Sequence, residues 1–275
     1  MTSSSTSSSP PLTPEQQSLK AHFTTLLPNT PLDTPWTTLL THSPRIFSAA
    51  LTLHSIPTTT SHLPPKTQSL ISLAIASNAT FLHPPHITRH TRAALAHGAS
   101  KAEIIETLCL TSTLGIHACN IGVPILCEVL REQGREVKSG MDGMGEKEWE
   151  LRSVFERKRG YWHGFWEDFL RLDKGFFEAY TGFSGVPWEM EGEHEGGIGV
   201  LEPKVKELIY CAFDVSATHL YQPGLKLHMK NVLKYGGTPE EIMEVMELAT
   251  LLGLSTMDVG LPILEEELRR AGREE

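Results

Sequence analysis

Apolar residues recur every three or four positions along most of the chain and seldom alternate with polar ones, which is the period of helices rather than strands. Thr13-Pro14-Glu15-Gln16 reads as a helix start, with Thr13 as N-cap, Pro14 at the first helical position and Gln16 closing a capping box. Leu19, Phe23 and Leu26-Leu27 form the apolar face, and Pro28 ends it. Thr34-Pro35-Trp36 and Ser43-Pro44 open two further helices, the second with Ile46, Phe47, Ala50 and Leu51 on one side. Pro57 and Pro64-Pro65 are expected to break the chain after it. From Lys66 to Thr80 the pattern is apolar over more than half the circumference, which predicts a central helix. Phe81-Leu82-His83-Pro84-Pro85 is a turn, and a new helix follows to His97, stopped by Gly98. Ser100, with Glu103 three residues on, caps the next one. Gly115 either interrupts that helix or admits a neighbouring backbone; Ile116 to Leu130 is the last, with a kink expected at Gly122 and Pro124.

The same pattern then returns. Shifting the numbering by 138 lays Lys66–Leu130 on Lys204–Leu268 without a gap. His90 falls on His228, Gly98 on Gly236, Gly115 on Gly253, and Pro124-Ile125-Leu126 on Pro262-Ile263-Leu264. Roughly a third of the paired positions are identical, the mark of a duplicated unit. Upstream, Trp166, Phe169, Leu170 and Phe177 match Trp36, Leu39, Leu40 and Phe47 at an offset of 130, which an acidic, Gly-rich insert near Glu189 to Gly199 extends to 138. That insert reads as a surface loop or lid. The expected organisation is a disordered Ser/Thr/Pro-rich tail at 1–12, a first unit at 13–130, a connector at 131–160 with a helix at Glu146 to Arg157, a second unit at 161–268 and a short tail at 269–275. The fold class is all-α, two helical units forming an internal pseudo-dimer.

Composition narrows the partners. A net charge of −9 with no Lys/Arg cluster argues against nucleic acid. No apolar run reads as long enough to span a bilayer, and the polar N-terminus lacks a secretory pattern, so no membrane partner and a cytoplasmic location are expected. Of four cysteines, Cys109, Cys119 and Cys127 fall in one copy and Cys211 in the other; none pairs across the repeat, and none has redox spacing.

The run Lys206-Glu207-Leu208-Ile209, then Ala217-Thr218-His219-Leu220-Tyr221-Gln222-Pro223-Gly224, His228, Leu233 to Gly236 and Pro239-Glu240-Glu241-Ile242 resembles the carboxymuconolactone decarboxylase family, which includes alkyl hydroperoxidase D. The resemblance implies helical subunits that assemble into trimers or hexamers, so a homo-oligomer (a dimer or trimer of two-unit chains) is expected. It also implies a small organic acid or lactone as substrate, with no cofactor. Peroxidase members carry Cys-x-x-Cys and a histidine with an upstream glutamate. Here the turns read His83-Pro84-Pro85-His86 and His219 to Gly224 without a cysteine, so thiol peroxidase chemistry is not expected. The family glutamate is matched by Glu207; Ser69 stands in its place in the first copy.

What remains is imidazole and phenol chemistry. His90 and His228 are the histidines at equivalent positions, each about a turn into the helix after the proline turn, and each can move a proton near neutral pH. Buried core histidines with one hydrogen bond each are the competing reading. The catalytic candidates are His228, Glu207, His219, Tyr221 and His90, with the second copy more complete. His83, His86, Arg92, Lys230 and His117 are candidate substrate contacts, and Asn120, paired with Asp258, could line the same cavity. No metal is expected; the alternative is a three-imidazole site from His83, His86 and His90. The reaction expected is a non-redox decarboxylation or related lyase step, against a non-catalytic binding or scaffold protein of the same fold.

Overall fold

A computed structural model of the chain describes residues 11–28, 30–138, 140–192 and 197–273. Among these the fold is all-α, as the periodicity predicts. In chain order the helices are α1 (Pro14–Leu26), α2 (Thr34–His42), α3 (Pro44–Thr60), α4 (Pro65–Ser77), α5 (Pro84–Ala96), α6 (Lys101–Ser112), α7 (His117–Glu132) and α8 (Glu146–Arg159). Then come α9 (Phe165–Leu172), α10 (Lys174–Gly185), α11 (Pro203–Val215), α12 (Gln222–Lys234), α13 (Pro239–Thr250) and α14 (Ser255–Arg270). Most of the expected tail at 1–12, and residues 193–196 of the insert, lie outside the described residues.

The start signals act as predicted. Thr13 accepts from Gln16 N while the Gln16 side chain reaches back to Thr13 N. Ser100 and Glu103 do the same for α6. Pro57 differs from expectation: α3 runs through it to Thr60. A proline in the last turn removes one backbone bond, and Ser55, Thr58, Thr59 and Thr60 donate their hydroxyls to carbonyls of Thr52, Ser55 and Ile56 in the turn before it. Gly115 lies in a 3-10 turn, Thr113–Ile116, and a Cβ there would meet nothing within 4 Å, so it marks the interruption and not a close backbone approach. Two continuous helical stretches, Lys101–Glu132 and Pro239–Arg270, are long and apolar enough to cross a membrane by length and composition alone, which corrects the reading that no such run exists. Each is broken by a 3-10 turn, and such a stretch is also what a core helix continuing into a surface helix looks like.

The repeat is exact in structure. α4, α5, α6, the 3-10 turn and α7 recur as α11, α12, α13, the 3-10 turn Leu251–Leu254 and α14, with every boundary displaced by 138. The helices pack as two units. One holds α1–α3 with α14; there Phe23, Trp36, Leu39, Leu40, Phe47 and Leu51 form a core against Leu254, Met257 and Leu261. The other holds α4–α13, where Ile116, Cys119 and Val123 of α7 pack with Phe155, Trp166, Phe169, Leu170 and Phe177. These contacts correspond across the repeat, so each copy's leading helices cover the other copy's last helix.

Within the second unit α4 and α11 lie against each other at the centre. Leu70, Ile71, Leu73 and Ala74 on one, and Leu208 to Phe213 on the other, are buried. Two equivalent cross-copy pairs flank them. Gln68 donates to Glu244 (2.7 Å), and Lys206 pairs with Glu106 (3.0 Å). Glu244 also accepts from Leu63 N, and Glu106 from Val200 N and Leu201 N. Thr80 and Thr218, equivalent residues, share a 2.8 Å hydroxyl contact, as a pseudo-twofold axis between the copies requires.

Candidate functional site

Helix α11 carries a polar stripe through an otherwise apolar surface. Glu207, Tyr210 and Asp214 are three and four residues apart and therefore share one face. All three are buried, at 1%, 1% and 0% exposure. Opposite lies α12, whose His228 is buried and Asn231 partly so. Glu207 accepts from both: His228 Nδ1 lies 2.6 Å from Oε2, and Asn231 Nδ2 donates to Oε1 at 3.1 Å. The carboxylate thus fixes the imidazole's orientation and leaves Nε2 facing inward, toward an Asp214 oxygen 4.0 Å away. The Tyr210 ring packs on His228 at 4.5 Å.

The turn before α12 places the next two groups. Leu220 sits at φ +52°, as does its equivalent Leu82 at +42°, a conformation non-glycine residues rarely take. Its neighbours His219 and Tyr221 thereby converge on His117, the first residue of α7, contributed by the other copy. The Tyr221 ring stacks on His117 at 3.8 Å, and His117 Nδ1 meets His219 Nε2 at 2.6 Å. Asn120, one turn along α7, lines the same cavity as Tyr221.

A buried cation closes the site from the connector. Arg159 ends α8, which Gly160 terminates in the left-handed conformation. Its Nη1 donates to Ser184 O and Tyr210 Oη at 3.0 Å each, its guanidinium lies 5.1 Å from the Trp188 ring, and its buried Nε has no hydrogen-bond partner. Arg159, Tyr161, Tyr180, Tyr210, Asn120, His117, Tyr221 and His228 line one cavity of about 30 Å³.

Electrostatics follow burial. His117 is pushed down to about 3, first by burial and then by the charges of His219 and His228. Burial also lowers His219. Asp214 is pushed up to about 8 by burial and then by Glu207. Burial raises the Tyr221 and Tyr161 phenols and the Cys211 thiol, the last with help from Glu207 and Asp214. Cys109, Cys119 and Cys127 are also raised, so each holds its proton more firmly than a free thiol.

The structure therefore brings together Glu207, His228, His219, Tyr221 and His117. Lys230 and Arg92 are exposed, and neither lines this cavity. His83, His86 and His90 sit together on α5 and its cap, with ring centroids 4.5 and 6.1 Å apart, and also lie outside the cavity lining. Sequence reasoning missed Arg159, Asp214, Tyr210 and Asn231. The stripe Glu207, Tyr210, Asp214 was a readable signal, because polar groups at helical spacing inside an apolar helix need partners. Arg159 had none, since its charge lies among the basic residues that end α8.

Comparison with known proteins agrees with this architecture. The model of the carboxymuconolactone decarboxylase family matches twice, at residues 45–114 and 188–265, together more than half the chain. A solved structure from Burkholderia xenovorans LB400 that carries the name of a gamma-carboxymuconolactone decarboxylase subunit is 43% identical. The match covers 95% of this chain and 100% of that one, with a TM-score of 0.85. No curated protein matches.

Proposed function

Because the chain belongs to the carboxymuconolactone decarboxylase family, we propose that its second copy houses a non-redox decarboxylase or related lyase for a small organic acid or lactone. The observation that carries this reading is the Glu207–His228 dyad, buried and oriented, on a cavity that also holds the Arg159 guanidinium. A buried guanidinium with an unpaired Nε is a ready partner for a carboxylate or enolate oxygen. In the proposed step the bond from substrate carbon to its departing carboxylate breaks and CO2 leaves. The electron pair passes into a conjugated carbonyl held by Arg159 and the phenols, and the carbon takes a proton from protonated His228. Glu207 stabilises the charged imidazole and sets which nitrogen faces the substrate. The raised thiols support a route that does not use sulfur.

A test is a panel of small mono- and dicarboxylic acids and carboxylated lactones, read by thermal shift and by CO2 release. An active compound should raise the melting temperature of the native protein. Replacing His228→Ala should cut turnover by about 10²-fold or more, and Arg159→Lys should weaken binding about tenfold, since it keeps the charge but loses the fork. Ligand stabilisation unchanged in both variants would sink the proposal. One observation favours a second reading: a cavity of about 30 Å³ holds only a few waters. A non-catalytic member with a collapsed site would show neither stabilisation nor turnover with any of the panel.

Assembly belongs to the same proposal. Ile121, Ile125, Leu126 and Val129 on α7, and Val259, Ile263 and Leu264 on α14, are large apolar residues left exposed. Such rows support an oligomer of two-unit chains.

A further inference from the structure

Asp214 presents a problem that hydrogen bonding within the chain does not solve. Its carboxylate is fully buried, and neither oxygen has a hydrogen-bond partner. Buried polar groups left in this way call for an explanation, and a bound ion is one of the few available. The nearest donors are imidazole nitrogens on two sides: His117 Nε2 at 3.8 Å from Oδ1 and His228 Nε2 at 4.0 Å from Oδ2. These separations exceed a hydrogen bond, which ends near about 3.2 Å. The His117 separation fits two groups that each stand about 2.0–2.2 Å from one shared ion. His219 completes the set: one donor atom from each of His117, Asp214 and His219 lies within 4.8 Å of the others.

We infer that His117, Asp214 and His219 form a binding site for a divalent first-row transition ion. Two imidazoles and one carboxylate select against magnesium and calcium, which take oxygen ligands, and suit zinc, cobalt or iron. The fold supplies the other requirements. Asp214 comes from α11, His117 from the first residue of α7 and His219 from the turn fixed by Leu220, so three separate elements converge. His219 is only partly buried and gives the ion a way in. His228 stands beyond Asp214 with its far nitrogen held by Glu207, as outer groups around metal sites are commonly held. His117 also lines the cavity, so an open coordination position would face a ligand there. The site stands independently of the decarboxylation reading, because its test needs no substrate.

The experiment uses the full chain, stripped with a chelator and titrated with CoCl2 and with ZnCl2. Expected are one equivalent per chain, the visible d–d bands of cobalt in a nitrogen–oxygen site, and a raised melting temperature. His219→Ala and Asp214→Asn should each weaken affinity at least tenfold. The first variant changes a partly exposed residue and keeps the result readable if the second folds poorly. Binding of less than a tenth of an equivalent at micromolar ion would overturn the site. So would affinity unchanged in both variants, or affinity lost instead in His86→Ala, which would place the ion on α5. Cobalt binding without any ligand stabilisation would leave this site standing and remove the lyase proposal.

Discussion

Gly224 is a glycine because of what faces it. A Cβ there would stand 2.4 Å from Asp214 Oδ2 and 2.7 Å from the Tyr221 ring, closer than side-chain carbons approach either. At the equivalent position the first copy carries His86, and it can, because Ala76 replaces Asp214 there and His83 replaces Tyr221. Gly224→Ala should therefore destabilise by about 1–3 kcal/mol through overpacking, seen as a lower urea midpoint with an unchanged slope. Wild-type stability in that variant would mean the α11–α12 contact is looser than described. The same comparison shows what was legible at this scale. Glu207 stood out because the family motif marked it, and His228 because the motif and the repeat both did. Asp214 was legible only as part of the polar stripe with Glu207 and Tyr210; its place in the site is set by α12 and α7, whose Gly224, His228 and His117 face it and lie far from it in sequence.

At the scale of elements, one ion pair recurs and ties helix to helix. Glu103 caps α6 at Ser100 N (2.7 Å) and accepts from Lys66 of α4 (2.7 Å); Glu241 caps α13 at Thr238 N and accepts from Lys204 of α11 (2.8 Å). Burial alone would raise the Glu103 carboxyl, but the Lys66 ammonium and the Ser100 amide outweigh it and hold it below 4.5. A carboxyl lowered by folding adds stability above its unfolded value, and that gain is lost as pH falls through the folded one. Glu103→Gln should thus cost about 0.5–1 kcal/mol at pH 7, Lys66 being partly exposed. The difference should shrink to nothing near pH 3, measured by urea unfolding at both values. Helix positions were legible here because caps and prolines are local signals, as Thr13 and Ser100 show. Pro57 was misread because a proline that near the helix end removes only one backbone bond, and α3 ends instead at the left-handed Ser61.

At the scale of the molecule, the copies differ in charge where they meet. Lys206 and Glu106 form a buried ion pair at 0% and 5% exposure, while the equivalent pair, Gln68 with Glu244, carries one charge instead of two. Lys206 also donates to Pro187 O and lies 5.3 Å from the Trp188 ring. Lys206→Met should cost about 3 kcal/mol, because it strands a buried carboxylate. Lys206→Gln should cost about 1 kcal/mol or less, since it recreates the bond that Gln68 already makes. Equal losses by calorimetry would show that the copies are not interchangeable at this contact. The repeat itself announced the pseudo-dimer, but the crossing of leading helices onto the other copy's last helix was not readable, because spacing along a chain says nothing of which copy a face meets. That crossing has a further consequence. In an assembly of identical protomers every substitution appears in all pockets at once. Fusing two protomers into one polypeptide lifts that obligation, so this chain can keep a carboxylate at Glu207 and drift to a hydroxyl at Ser69 while the shared architecture persists.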